Sequence, residues 1–356
     1  MKRLFSLRFV FGAAFLVFAL LLPLWVRSPY YLGIFIDIMV NAMLAIAFLM
    51  MFRTGLCNLG LTAFWGLGAY LTAVLTTRWE ISFWACLPIT IVVCGVVGLG
   101  LGYIMIGRGR GGFNFVILSS VIGMIFPVIM GSISFVGGYA GISGIPAPDA
   151  IPLPGGGAIE FGSARSYYYL AAVIFIMIIL VCGAFYRSWT GRAWKSIAIN
   201  PRLAESLGVD VFHYRLVAIV VGSIFAGVVG CFLASYTSFV SPAQYGMWKN
   251  VYIQAYAVLG GMGFAVLGPL LGAAVMTVVP QAVQFSNLVA PLFVGTVLIL
   301  LILFFPDGLL GIITRRDWLT RLLNRLRGRP TLTSGEVPEP VPIAERDLGA
   351  RGGEDA

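Results

Sequence analysis

Only a few polar side chains interrupt the long apolar runs of this sequence, and they are the residues that could carry chemistry there. Five are candidates for lining a solute pathway: Asp37, Asn41, Asn58, Thr62 and Asn114. Carriers driven by an ion gradient rely on several ionisable residues inside the bilayer, whereas this set holds one carboxylate. Because amides and hydroxyls hydrogen-bond uncharged groups, the set favours a pathway for a neutral or zwitterionic solute.

Each of these residues also has a structural interpretation. Asp37 lies early in its apolar run, where the positive end of a helix and the membrane interface stabilise a carboxylate. Amide and hydroxyl side chains often hydrogen-bond neighbouring membrane helices. Both interpretations stay open from the sequence alone.

The sequence lacks the residues that several kinds of catalytic site require. A Walker-type nucleotide site needs Gly-Lys-Ser/Thr, and none of the three lysines (Lys2, Lys195 and Lys249) follows a glycine. His213 is the only histidine, which argues against a serine–histidine triad and against a histidine-based metal site. The five cysteines lie in apolar segments without a CxxC pair, so we expect them to be buried and unpaired. The sequence therefore predicts a protein that is not an enzyme and holds no metal.

The composition indicates a membrane protein. Apolar residues make up 60% of the 356 residues and charged residues 10%, against about 25% charged in soluble proteins. A membrane helix needs about 20 apolar residues. The predicted fold class is an all-α polytopic membrane protein with about ten transmembrane or partly re-entrant helices. The predicted spans are residues 7–26, 33–52, 60–77, 83–106, 113–136, 167–186, 216–236, 251–264, 269–285 and 289–305.

Three of these spans are irregular. Glycine interrupts the third, eighth and ninth, and the eighth is too short to cross a bilayer alone. Irregular backbone persists at membrane depth only where protein or a water-filled cavity covers it, so these segments are predicted to line the pathway. The first span resembles a signal peptide, but its length and the absence of a cleavage site favour a retained helix.

The distribution of basic residues predicts the orientation. With the amino terminus inside, 19 of the 23 lysines and arginines fall on the inner side and four on the outer side. Because inner loops are enriched in these residues, both termini are predicted to be inside. The transmembrane domain is expected to cover 1–314. The cytoplasmic tail, 315–356, is expected to begin as an amphipathic helix and then become disordered.

Two loops are longer than a hairpin turn. The outer loop, residues 137–166, is rich in glycine and proline, which is typical of an extended segment with several turns. The inner loop, residues 187–215, contains a complete helix signal. Asn200 suits the N-cap, Pro201 the first helical position and Gly208 the position after the end. A short helix over 201–207 is therefore predicted.

Four stretches of the sequence resemble motifs of the LivM-type permease subunits of branched-chain amino acid ABC importers. They are TGLCNLG with AFWGLGAY, GG with GISGIP, GRAW with AESLGV, and FPDGLLG, within residues 54–70, 137–146, 191–209 and 305–311. The likeness covers about 30–312. Two departures occur: Asn58 stands where the family usually has serine, and Asn200-Pro201-Arg202 stand where acidic residues are common.

The resemblance implies a permease subunit of the bacterial inner membrane. It would move branched-chain or related amino acids by alternating access and bind no cofactor itself. The implied partners are a second permease subunit, expected to be a different chain, two cytosolic ATPase subunits that bind ATP and Mg²⁺, a periplasmic solute-binding protein and membrane lipid, but no nucleic acid. The implied ATPase-coupling residues are Gly191, Arg192, Asn200, Ala204, Glu205, Leu207 and Gly208. The implied binding-protein-facing residues are Gly137, Gly138, Gly141, Gly144 and Pro146.

Two alternatives remain at this stage. A urea or short-amide permease of the same family would share every motif, because the sequence hardly encodes the solute. From a different class, a stand-alone ion-coupled carrier or channel would transport without partners and would respond to Asp37→Asn.

Overall fold

The computed structural model of the chain describes residues 28–107, 112–152 and 158–282, together with the single residues 23, 295 and 308. Within these ranges the chain is mainly helical. The α-helices are α1 Pro29–Phe52, α2 Leu61–Arg78, α3 Phe83–Ile106, α4 Phe113–Ser132, α5 Ala164–Arg187, α6 Trp189–Ile199, α7 Pro201–Ser206, α8 Val211–Thr237, α9 Met247–Gly260 and α10 Leu267–Ala282. The outer loop forms two short antiparallel strand pairs: β1 Ile142–Ser143 pairs with β4 Phe239–Val240, which follows α8, and β2 Ile151–Pro152 pairs with β3 Ala158–Ile159.

Five of the described helices are long and apolar enough to cross a membrane: α1, α3, α4, α5 and α8. Each of the eight predicted spans from the second to the ninth corresponds to a helix, so the polytopic helical class is confirmed. Several boundaries differ by up to five residues. The second span begins four residues earlier, at Pro29, and the eighth begins and ends four residues earlier, at Met247 and Gly260. The fifth span ends at Ser132 and continues as 3-10 turns, and the seventh begins five residues earlier than predicted, at Val211. The first and tenth predicted spans and the predicted tail lie outside the described residues.

Helix α1 lies at the centre of the bundle. It packs against α5, α8, α9 and α10, and every residue from Ala42 to Met51 is at most 2% exposed. A helix that is apolar on all sides is stable only where neighbours cover the whole of its surface. The carboxyl-terminal half of α1 is therefore packed on all sides.

Small residues bring α8 close to its neighbours. A side chain at Gly230 would collide with the carbonyl oxygen of Trp65 on α2, and one at Gly222 would collide with Met51 on α1. On α3, a side chain at Gly98 would meet Ser223 of α8. Such positions let helix backbones approach where lipid supplies no hydrophobic driving force. Helix α8 therefore packs tightly against three helices at once.

The backbone before α2 is irregular and buried, as predicted for a glycine-interrupted span. The Leu59 amide donates to Ser119 Oγ at 3.1 Å, and the Leu59 carbonyl accepts from Asn250 Nδ2. Asn58 Oδ1 accepts from the Gly60 amide at 2.7 Å. Side chains thus satisfy backbone groups that a helix would otherwise pair, which is what an apolar environment demands.

Helix α9 is shorter than the other membrane-embedded helices, with 14 residues between Gly246 and Gly261, and α10 follows it from Leu267. They pack against each other and against α1. At Gly272 a side chain would collide with the Tyr256 carbonyl oxygen, so the two backbones are in direct contact. Arg53, just after α1, donates to the carbonyl of Gly263 in the connection between them at 3.1 Å. The prediction that the eighth span is too short to cross alone is confirmed.

Candidate functional site

The short helix of the inner loop has both of its predicted caps. Asn200 Oδ1 accepts from the Leu203 amide at 3.2 Å, and Pro201 occupies the first helical position. At the other end Gly208 has φ +84°, its amide donates to Glu205 O at 2.9 Å, and the Val209 amide donates to Ala204 O at 3.0 Å. This pair of bonds is a Schellman motif. Local sequence therefore determines where α7 begins and ends, although the helix is one residue shorter than predicted.

Helix α6, Trp189–Ile199, precedes α7 and was missed. Its buried residues Ala193, Trp194 and Ile197 follow helical spacing, a signal that could have revealed it. Trp194 Nε1 donates to Tyr214 O at 2.8 Å, and the Trp194 ring stacks on Phe185 with centroids 5.7 Å apart. These contacts fix α6 between α5 and α8, so the inner loop is an ordered platform for α7.

The predicted coupling residues fall into two groups in the structure. Ala204 is 2% exposed and packs with Ile197 and Val211, and a side chain at Gly191 would collide with the Phe185 carbonyl. Together with Asn200 and Gly208 these residues hold α7 in place. The second group is exposed and comprises Arg192, Glu205 and Leu207.

Exposed apolar side chains lie on α7 and at both of its ends: Leu203 is within α7, Ile199 is the last residue of α6, and Leu207 follows the last residue of α7. Ile199 is 85% exposed, Leu203 57% and Leu207 76%, and we call these three residues the α7 patch. Sequence reasoning had selected only Leu207 among them. Large exposed apolar side chains outside the membrane helices are typical of a surface that binds another protein.

A cavity of about 1080 Å³, which we call the α7 cavity, separates α7 from the neighbouring helix ends. Its lining residues are Gly55, Tyr103, Ile106, Gly107, Gly112, Ile197, Ala198, Asn200, Pro201, Arg202, Glu205, Val211, Phe212 and Arg215. The Glu205 carboxylate interacts electrostatically with the Arg215 guanidinium. Arg215 is buried, and its Nε donates to Thr54 O at 3.3 Å. A chain of polar contacts thus connects α7 to the segment that follows α1.

A second cavity, of about 330 Å³, lies beside the other half of α1, and we call it the α1 cavity. It is lined by residues of α1, α2, α8, α9 and α10: Asp37, Val40, Asn41, Leu44, Trp65, Leu233, Lys249, Tyr252, Ile253, Tyr256, Met276, Thr277, Pro280 and Gln281. Its volume is at the lower end of the range of about 300–1,000 Å³ that is usual for small-molecule sites. The cavity therefore suits a small solute.

The α1 cavity contains one acidic and one basic side chain. Asp37 of α1 and Lys249 of α9 are close enough to interact electrostatically. Asn41 Nδ2 donates to Thr277 Oγ1 at 3.1 Å, which links α1 to α10. Asn41 thus bonds a neighbouring helix, as its structural interpretation predicts, and it also lines the cavity.

The predicted pathway residues do not all meet at one place. Asp37 and Asn41 line the α1 cavity, whereas Asn58 and Thr62 are buried and do not. Asn114 is exposed at the start of α4. Sequence reasoning missed Lys249, Tyr252 and Tyr256, although their helical spacing on α9 places them on one face.

The two cavities lie at different ends of α1. The α1 cavity reaches Leu44, and the α7 cavity begins at Gly55, three residues after the helix ends. The residues between them, Ala45 to Met51, are packed on all sides. A cavity therefore lies near each end of α1, and a packed apolar segment of the helix separates the two.

The outer loop requires its glycines for backbone reasons. Gly137, Gly138, Gly141 and Gly144 all have φ between +56° and +82°, a region that is costly for other residues. At Gly141 a side chain would also collide with the Val240 carbonyl oxygen, beside the β1–β4 pair. The turn exposes Tyr139, Gly144 and Pro146 to the surroundings.

Metal binding has no support among the described residues, where no three His, Cys, Asp or Glu side chains come together. All five cysteines lie in the described part of the chain and are free of disulfides; four are buried as expected, whereas Cys57 is half-buried.

Comparison with known proteins agrees with this geometry. Residues 30–305 match the model of the family described as branched-chain amino acid transport system / permease component. The chain is 27% identical over 276 residues to the high-affinity branched-chain amino acid transport system permease protein LivM of Salmonella typhimurium and to that of Escherichia coli, in each case over 72% of this chain and 64% of the relative. It is 24% identical over 289 residues to the permease protein BraD of Pseudomonas aeruginosa, over 76% of this chain and 91% of that protein.

No solved structure matches the chain significantly. The matched segment spans about two thirds of the length of the LivM proteins. The family match covers most of the chain, includes both cavities and agrees with the helical membrane fold. The chain belongs to the branched-chain amino acid transport system permease family.

Proposed function

We propose that the chain is the transmembrane permease subunit of an ATP-driven importer for branched-chain or related amino acids. Its family and its LivM and BraD relatives support this role. The assembly would comprise a second permease subunit, two cytosolic ABC ATPase subunits and a periplasmic solute-binding protein. The chain itself would bind no cofactor, and ATP with Mg²⁺ would bind to the ATPases.

The observation that carries the proposal is the α7 patch. Leu203 on α7 is exposed, as are Ile199 and Leu207 beside its two ends, and the position of this helix is fixed by two caps and by buried Ala204. Since the sequence has no Gly-Lys-Ser/Thr motif, the nucleotide site of an ATP-driven importer would be on another protein. The α7 patch is where we place the contact with the ATPase.

The polar contacts of α7 suggest how movement would spread. A shift of α7 would alter the Glu205–Arg215 interaction and the bond from Arg215 to Thr54. Thr54 follows α1 directly, and the same helix lines the α1 cavity through Asp37 and Asn41. In alternating access, the packed segment from Ala45 to Met51 would open toward the inner side while the outer side of the pathway closes.

The proposed orientation has both termini in the cytoplasm of a bacterial cell with the chain in the inner membrane. Described basic residues fit this orientation, because Arg53, Arg192 and Arg202 belong to the end of the bundle that carries α7. The loop with Gly137, Gly138, Gly141, Gly144 and Pro146 then faces outward and would receive the loaded binding protein.

Reconstitution into liposomes tests the function. The chain with its partner permease, both ATPases and binding protein should accumulate leucine only when ATP is present and the ATPases are active. Uptake that persists with catalytically dead ATPases would contradict the proposal and favour a stand-alone carrier. Uptake of urea or acetamide in preference to leucine would favour the short-amide permease.

A further inference from the structure

The two charges of the α1 cavity are unusual for a membrane-embedded site. Asp37 is half-buried on α1, and Lys249 is at the exposed start of α9. Both side chains line the cavity, and across the described part of the chain neither is in a salt bridge. Ionisable groups at membrane depth are costly and are generally retained for function. The cavity thus offers an anionic and a cationic group to a ligand between two helices.

Apolar side chains from four helices also line the cavity. Val40 and Leu44 come from α1, Leu233 from α8, Ile253 from α9 and Met276 from α10. Since a water molecule takes up about 30 Å³, a cavity of 330 Å³ has the volume of about eleven waters. That is adequate for one amino acid and small for a peptide.

Two buried polar atoms of lining residues have no hydrogen-bond partner. They are Trp65 Nε1, a donor, and Gln281 Oε1, an acceptor. Buried polar atoms are nearly always paired in folded proteins. A ligand or water in the cavity would supply the missing partners.

We propose that the α1 cavity binds the zwitterion of an aliphatic α-amino acid, with its ammonium at Asp37 and its carboxylate at Lys249. The aliphatic side chain would lie against Val40, Leu44 and Met276. This inference rests on the proposed function and adds the recognition chemistry, because a site with both charges favours a zwitterion over urea or a short amide. Charge-assisted hydrogen bonds at each end would fix the orientation of the ligand.

Equilibrium binding of radiolabelled leucine to the full importer, without binding protein and without ATP, tests the site. Asp37→Asn keeps the shape of the side chain and should weaken leucine binding at least tenfold, as expected for loss of a hydrogen bond to a charged group. Lys249→Met should weaken it as well. Glu80→Gln, which alters an exposed acid between α2 and α3, is the matched control and should bind leucine as the unmodified protein does.

Ligand analogues test the same point without a substitution. Isoamylamine lacks the carboxylate and 4-methylpentanoate lacks the ammonium. Each should therefore compete with radiolabelled leucine at least tenfold more weakly than unlabelled leucine does. Asp37→Asn should bind leucine and 4-methylpentanoate with nearly equal affinity. The proposal is overturned if leucine shows no saturable binding, if either analogue competes within twofold of leucine, or if Asp37→Asn leaves binding unchanged.

ATP hydrolysis stimulated by the binding protein, measured on the same preparations, separates this inference from the proposed function. If the binding protein stimulates hydrolysis but the leucine-binding test fails, the zwitterion site is overturned and the importer role is not. Absence of stimulation in the unmodified complex would refute the importer role, while the binding measurements would still decide the site.

Discussion

Truncating Leu207 to alanine should weaken association with the ATPase subunits. Leu207 is 76% exposed in the isolated chain, and burying a whole leucine side chain stabilises a complex by about 1.5–3 kcal/mol. Covering three quarters of that surface corresponds to about 1–2 kcal/mol. The dissociation constant of the permease–ATPase complex should therefore rise roughly 5- to 30-fold.

The assay is titration of purified ATPase onto the permease pair in nanodiscs. Leu180→Ala is the control, since Leu180 is 60% exposed on membrane helix α5 and has no place in the docking surface. Thermal unfolding of both variants should match that of the unmodified protein, because an exposed side chain contributes little to packing. Equal ATPase affinity for Leu207→Ala and the unmodified chain would refute the assignment of the α7 patch.

The remaining predictions concern caps and close contacts. Asn200→Ala should cost α7 about 1 kcal/mol and weaken ATPase binding up to about fivefold, whereas Asn200→Ser keeps the cap and should stay within twofold in the same titration. Gly230→Ala should lower the unfolding temperature in detergent, with a cost of about 1–3 kcal/mol for overpacking; Gly100→Ala on α3, where a side chain meets nothing within 4 Å, should not lower it. Gly141→Ala should reduce ATPase stimulation by the binding protein more than Gly144→Ala does, because both positions have positive φ but only the first also collides with Val240.

Sequence reasoning succeeded where structure is determined locally. The ends of α7 were predictable because Asn200, Pro201 and Gly208 act on neighbouring backbone groups. The membrane helices were predictable because a bilayer demands long apolar runs. The outer-loop glycines belonged to a recognisable motif, and positive φ explains why each must be glycine.

The α1 cavity was only partly predictable, since its lining comes from five helices that are distant in sequence. Asp37 and Asn41 were found because they are polar residues within an apolar run. Lys249 was assigned only to an outer segment. Its position beside Asp37 could not be predicted, because it depends on the packing of α9 against α1. Asn58 was selected as a pathway residue, yet it bonds the Gly60 amide beside the irregular start of α2. No sequence pattern distinguishes an amide side chain that lines a cavity, as Asn41 does, from one that bonds the backbone, as Asn58 does.

The brevity of α9 has a consequence for biogenesis. At 1.5 Å per residue, its 14 residues extend about 21 Å, less than the roughly 30 Å of hydrocarbon. The helix is not suited to integrate singly as it leaves the ribosome, so it should enter as a hairpin with α10, which packs against it, after α1 and α8 are already in place. The polar groups carried by that hairpin, Lys249 among them, are thereby delivered to the interior by a late docking step instead of by independent partitioning into lipid.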